Sequence, residues 1–243
     1  MAFDISSITR GPRLMPQRIM VFGPHGVGKT TLAAQAPSPI FIQTEDGLGQ
    51  LESPAFPLAS SVQDVMDAIN TLYSEEHEFK TVVLDSADWL DNLIQAQIKA
   101  DYDEKARAYG KDALLCAEQW LLILNWLNAL RRDRGMSVIL LAHAEIKRYD
   151  PPDSDSYERY QPKIPSKSSA VIQEWADAVL FANFKTFVKA EAVTQQKTVK
   201  KAVSGGERLL HTGEKPAYLA KNRYALPDTL PMSWTALEAA IAG

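Results

Sequence analysis

Arg18-Ile19-Met20-Val21-Phe22-Gly23-Pro24-His25-Gly26-Val27-Gly28-Lys29-Thr30-Thr31 is the stretch whose reading decides the fold. Arg18 to Phe22 is short and mostly apolar, as a buried strand requires. Thr31 to Ala36 reads as the start of a helix, stopped by Pro37 and Pro39. Between them, Gly23 to Thr30 fits G-x-x-x-x-G-K-[ST] at every fixed position. Given ordinary glycine usage, a chance match in a chain of this length is an event of ~1%, and the strand-loop-helix setting removes coincidence. Glycines let the backbone curl until successive amides face a phosphate chain, and the helix adds its positive end. The expected nucleotide contacts are Gly23, Pro24, His25, Gly26, Val27, Gly28, Lys29, Thr30 and Thr31. Lys29 is expected to reach the β- and γ-phosphates of ATP, and the Thr30 hydroxyl to ligate Mg²⁺.

Working outward, Ile40-Phe41-Ile42 forms a second short strand closing on Gln43-Thr44-Glu45-Asp46-Gly47, and Val62 to Tyr73 has helical spacing. Thr81-Val82-Val83-Leu84 is a buried strand that ends in Asp85, with a helix starting near Trp89. Asp112 to Arg132 is a long amphipathic helix, Ser137 to Ala142 a strand ending at His143, and Ala176 to Phe184 a further strand. Near-continuous apolar strands alternating with helices predict a mostly parallel sheet covered on both faces. The polar stretch Lys99 to Lys111 reads as a mobile loop, and Glu145 to Ser169 as a long structureless one. Thr198 to Ala225 reads as a β-hairpin turning at Gly213-Glu214-Lys215-Pro216, before a short helix from Trp234 to Ala242. Residues 1–17 read as an N-terminal arm on a core spanning 18–243.

Three further residues carry chemistry. Asp85, at a strand end beside the loop, suits holding magnesium through water; the alternative is a helix N-cap. Glu45 stands just past the second strand, where a carboxylate can deprotonate an attacking water or be a solvated loop acid. His143, at the tip of a later strand, either touches the γ-phosphate or is merely structural. In the loop after it, Lys147, Arg148, Arg159, Lys163 and Lys167 are interleaved with Tyr149, Tyr157 and Tyr160. Cations for phosphates and rings for bases suit sequence-tolerant single-strand binding, though Asp150, Asp153, Asp155 and Glu158 dilute that pattern. His211-Thr212-Gly213-Glu214-Lys215-Pro216 spells the linker between tandem zinc fingers. Such zinc sites need paired cysteines and Cys116 stands alone, so it reads as a turn.

Taken in order, Gly23 to Thr31, Phe41 to Glu45, Val82 to Ser86 and Leu140 to His143 resemble the RecA-type ATPase core. That resemblance implies an α/β, RecA-like P-loop fold with a C-terminal β-hairpin. It also implies Glu45 as catalytic base, His143 in place of a glutamine γ-phosphate sensor, and single-stranded DNA on the loop beyond His143. Lys221-Asn222-Arg223-Tyr224 is similar to the Lys-Asn-Arg-aromatic segment of bacterial RadA and the Lys-x-Arg hairpin of DnaB-type helicases. By that resemblance Lys221 and Arg223 reach a neighbouring subunit's nucleotide, so active sites are shared in a homo-oligomer, ring or filament. The next residue, a glycine in RadA, is Ala225 here. Size and layout look most like the core-only RecA-like ATPases of bacteriophages that act in recombination and single-strand annealing, with a single-strand binding protein as a further partner.

Bulk properties bound these readings. The apolar share of 46% and charged share of 23% are those of a globular chain, and a net charge of -4 gives no global pull toward nucleic acid or anionic membrane. A single cysteine and an N-terminal stretch without an apolar core predict a cytoplasmic protein, the host cytoplasm if phage-encoded, with no membrane partner. The competing expectation is a P-loop ATPase that loads or remodels a replication protein, as helicase loaders do, without touching DNA. A small-molecule kinase is a weaker third, since no arginine-rich lid over an acceptor site is visible.

Overall fold

The computed structural model describes residues 15–194 and 197–242, with the side chains of 187–204 excepted. Residues 1–14 of the expected arm lie outside the described residues. Gln17 already runs beside the sheet, its carbonyl accepting from Val138 N–H at 2.8 Å.

Five strands form the parallel heart of the sheet: β1 (Arg18–Gly23), β2 (Pro39–Gln43), β3 (Thr81–Asp85), β4 (Ser137–Tyr149) and β6 (Ala178–Thr194). They lie in the order β2-β3-β4-β1-β6. Antiparallel strands β7 (Lys197–His211) and β9 (Thr229–Pro231) extend the β6 edge. β5 (Tyr157–Pro162) pairs with the far end of β4, and β8 (Lys221–Asn222) with the start of β6.

Alternation along the buried strands feeds two cores. Met20, Phe22, Val82, Leu84, Val138, Leu140 and Ala142 pack under α2 (Val62–Ser74), α3 (Ala87–Asp101), α5 (Lys111–Asp133) and α6 (Ser166–Trp175). Ile19, Val21, Val83, Ile139 and Leu141 face the other way, against α1 (Lys29–Ala33) and α7 (Trp234–Ala242). This is a P-loop α/β core, a mostly parallel sheet with helices on both faces. Helix α5 is long and apolar enough to cross a bilayer by length and composition. Its Trp120, Ile123, Leu127 and Leu130 are fully buried against the sheet, each worth roughly 1.5–3 kcal/mol if removed from water.

Three expectations are corrected. Residues 99–111 are not a loop throughout: α3 runs to Asp101, and a short helix, α4 (Glu104–Arg107), comes next, capped by Asp103. The stretch 145–169 is not structureless. β4 continues past His143 and pairs antiparallel with β5 from Ala144↔Pro162 to Tyr149↔Tyr157, and α6 begins at Ser166. Last, the C-terminal hairpin is formed by β6 and β7 and not within 198–225. The turn at Gly213 to Pro216 leads into a segment that crosses to β6, with Asn222 opposite Ala178. Lys215 and Tyr218 close that turn by reciprocal backbone bonds of 3.1 and 3.0 Å.

Candidate active site

Parallel register gathers the expected site at the carboxyl ends of four strands, where open α/β sheets bind ligands. Gly23 is level with His143, Asp85 with Leu141, and Gln43 with Asp85. Glu45, two residues past Gln43, therefore stands near the height of His143. Thr44 pins that strand end: its hydroxyl donates to the Ser86 carbonyl at 2.7 Å and accepts from Ser86 N–H at 2.9 Å.

The loop itself has the shape its residues demand. Gly28 sits at φ 99°, and a Cβ there would meet the Arg208 guanidinium at 2.5 Å. At Gly23 a Cβ would collide with the Ala182 carbonyl of β6. Lys29 is buried, and its Nζ donates to the Gly23 and Pro24 carbonyls at 3.1 Å each. Burial holds its ammonium below the usual lysine range, against the opposing pull of Asp85, Asp88 and Glu45.

Thr30 Oγ1 donates to Asp85 Oδ2 at 2.8 Å. Burial, with Glu45's charge adding, raises the Asp85 carboxyl, which the Thr30 bond only partly offsets. Among the described residues no group of three His, Cys, Asp or Glu side chains could hold a metal unaided. A hydroxyl beside one buried carboxylate is the donor set of a magnesium ion that completes its shell with phosphate oxygens and water. The residues present fit Mg²⁺, with Thr30 and Asp85 as the ones that would hold it.

His143 is the most constrained group in the site. Asp88 Oδ1 accepts from its backbone N–H at 3.0 Å, and Asp88 Oδ2 lies 2.9 Å from Nδ1. Nε2 lies 3.8 Å from Glu45 Oε1. The ring of His25, from the glycine loop, stacks on His143 at 4.0 Å between centroids. The His143 charge, then burial and Lys29, hold His25 below its ordinary value.

The family model described as an AAA domain matches residues 15–224. The chain belongs to this AAA domain family. A search of curated proteins finds no match. Among solved structures, a match is the crystal structure of the RadB recombinase, 14% identical, with a TM-score of 0.49 over 91% of this chain and 90% of that one.

Within this AAA domain the other expected residues lie apart from the loop, except Lys163, whose charge bears on His25. Lys147 and Arg148 are exposed on the β4–β5 hairpin, where Arg148 pairs with Asp150 at 2.8 Å. Arg159 is not an available cation: its side chain is 9% exposed, bonded to Glu214 at 2.7 Å and 3.8 Å from the Tyr149 ring centre. Lys163 is exposed, its N–H donating to the His143 carbonyl at 2.8 Å, and Lys167 is exposed in the first turn of α6. Lys221 and Arg223 sit beside the start of β6, on either side of Asn222, which is level with Ile19. That is four residues before Gly23, or about 13 Å. Lys221 is not on an exposed hairpin: Nζ caps α6 through the Gln173, Glu174 and Ala176 carbonyls at 2.5, 3.1 and 2.6 Å. Arg223 is 54% exposed and 3.6 Å from Asp177.

Two residues of the site escape sequence reasoning. For Asp88 the available signal is its spacing of three from Asp85, across a strand end into a helix. Arg208, which donates to the Val27 carbonyl at 3.4 Å across 181 positions, has no sequence signal.

Proposed function

We propose that this AAA domain is a magnesium-dependent ATPase that works as an oligomer on single-stranded DNA, in recombination or annealing in a cytoplasm. One observation carries the reading: β4 passes without a break from His143, at the nucleotide end of the sheet, into the hairpin bearing Lys147 and Arg148. A ligand held on that hairpin is therefore one strand away from the γ-phosphate side of the site. The tip adds a cavity of about 350 Å³ lined by Tyr149, Tyr157 and Lys215 together with the acids Asp153 and Glu214, its rings of the sort that stack on bases.

In this reading Lys29 exchanges its two carbonyl partners for phosphate oxygens, and Thr30 and Asp85 hold the magnesium, which neutralises phosphate charge when bound. Glu45 takes the proton of the attacking water, and His143 senses the γ-phosphate from the adjacent strand. Arg223, the looser of the two distal cations, serves a neighbour's nucleotide.

The test is steady-state ATP hydrolysis with and without single-stranded DNA, on wild type and on a variant lacking Lys147, Arg148 and Lys163. Stimulation in wild type is expected. The variant should flatten the slope of log affinity on log salt by up to about 0.7 for each phosphate it no longer neutralises. An unchanged slope and no stimulation would favour the protein-remodelling reading. The observation on that side is an apolar surface on α5, where Leu114, Leu121, Leu122 and Trp126 are 40–55% exposed.

A further inference from the structure

A glutamine at the tip of β4 would carry its own N–H donor on a rotatable amide. A histidine differs, because its two ring nitrogens are distinct and something must decide which one faces the site. In this chain the deciding group is Asp88. Both its oxygens are spent on one residue, Oδ1 on the His143 backbone N–H and Oδ2 on Nδ1. An ionised carboxylate can only accept, so the short approach to Nδ1 requires a proton there. Burial pushes the Asp88 carboxyl up, but these two bonds, the His143 charge and the Ser86 hydroxyl outweigh it and hold it below the usual range.

The rest of the ring's freedom is also removed. Its face is covered by His25 at 4.0 Å, with 25° between the planes. Its far nitrogen, Nε2, is left pointing at Glu45 Oε1, 3.8 Å away. The spacing is too long for a direct bond and short enough for a water to donate to both groups. Asp88 itself is 5% exposed and stands on the first turn of α3, so it presents nothing to solvent or to a phosphate directly.

We propose that Asp88 is a positioning residue for nucleotide hydrolysis that acts through His143, fixing the imidazole so that Nε2 faces Glu45. This rests on the hydrolytic reading above. Carboxylates that orient metal-bound histidines are worth about 10–100-fold when altered, and an effect of that size is expected for this pair. Asp88→Asn should therefore lower kcat at least about tenfold while leaving KM for ATP unchanged, as loss of an interaction that matters only in the transition state does.

Two measurements test the idea. The first is a double-mutant cycle with His143→Gln, whose amide needs no orienting carboxylate. In that background Asp88→Asn should cost nothing further in kcat. A loss that persists there would mean Asp88 acts on its own and would overturn the proposal. The second needs no variant and no turnover: nitrogen NMR of the His143 ring in the nucleotide-free wild type. The proton should sit on Nδ1 at every pH where the protein is folded. A bare Nδ1 would overturn the positioning role even if the enzyme hydrolyses ATP. Wild-type protein with a protonated Nδ1 and no ATPase activity would instead sink the hydrolytic reading, and the catalytic role of Asp88 with it.

Discussion

The two ends of β1 carry opposite charge surpluses. At the Gly23 end, Lys29 is surrounded by Glu45, Asp85 and Asp88. At the Arg18 end, Asp177 is surrounded by Arg18 at 2.7 Å, Arg131 at 3.5 Å and Arg223 at 3.6 Å, with Lys221 close by. Burial raises the Asp177 carboxyl, but the Arg18 bond and the neighbouring guanidiniums outweigh it and hold it low. One end gathers acids that a metal ion would balance; the other gathers four cations around Asp177, with Glu174 nearby. Five strand rises, about 17 Å, separate Arg18 from Gly23, so the cations at one end cannot reach the phosphates at the other within one chain. A head-to-tail contact between copies, which generates rings or filaments, would bring them together. Within one chain the loop has Lys29 and the Arg208 guanidinium against it, while Arg223 is held at the far end.

The largest expected effect falls on the Gly23 end. Lys29→Ala removes the lysine buried in the loop and should abolish ATP turnover in a coupled hydrolysis assay. Near-normal turnover would end the P-loop assignment.

Glu45→Gln keeps the shape and removes the base. ATP should still bind, with turnover at least about a hundredfold slower. If turnover were unchanged while Asp85→Asn abolished it, the working acid would be the wrong one of the pair.

The smallest effect sharpens the electrostatic half of the comparison. A raised Asp85 means the folded state favours the protonated acid. Its contribution to stability is present below the ordinary aspartate value and lost as pH rises through the raised one. Without nucleotide and metal, the neutral Asp85→Asn protein should therefore melt at a higher temperature than wild type at neutral pH. The difference should vanish under acid conditions. Scanning calorimetry at two pH values checks it, and a lower melting temperature at neutral pH would show that the ionised carboxylate stabilises the fold.

The nucleotide end was legible in the sequence for a physical reason. Strands buried on both faces are near-continuous apolar runs, and each of Gly23, Glu45, Asp85 and His143 punctuates the end of such a run. The distal end was not. β7 is read most simply as pairing with the segment after it, yet its partner is the preceding strand β6, which frees residues 218–224 to cross the sheet. The β4–β5 hairpin escaped because β5, Tyr157-Glu158-Arg159-Tyr160-Gln161-Pro162, pairs beyond the main sheet and carries no apolar alternation. Lys221 was legible as a cation but not as an α6 cap, because its three carbonyl partners lie 45–48 residues away. Asp88 was visible as an acid, but only the register between β3 and β4 shows that it belongs to His143.

The claim that joins the two ends is that Arg223 of one copy completes the site of the next. Lys29→Ala protein keeps its distal cations, and Arg223→Ala protein keeps its P-loop, so the direct test is to mix them. Each alone should be nearly inactive. Combined, they can form some sites with an intact loop from one copy and an intact arginine from another, and part of the ATPase activity should return. Full activity of Arg223→Ala alone would contradict a shared site, as would no recovery on mixing where light scattering shows that the two variants co-assemble.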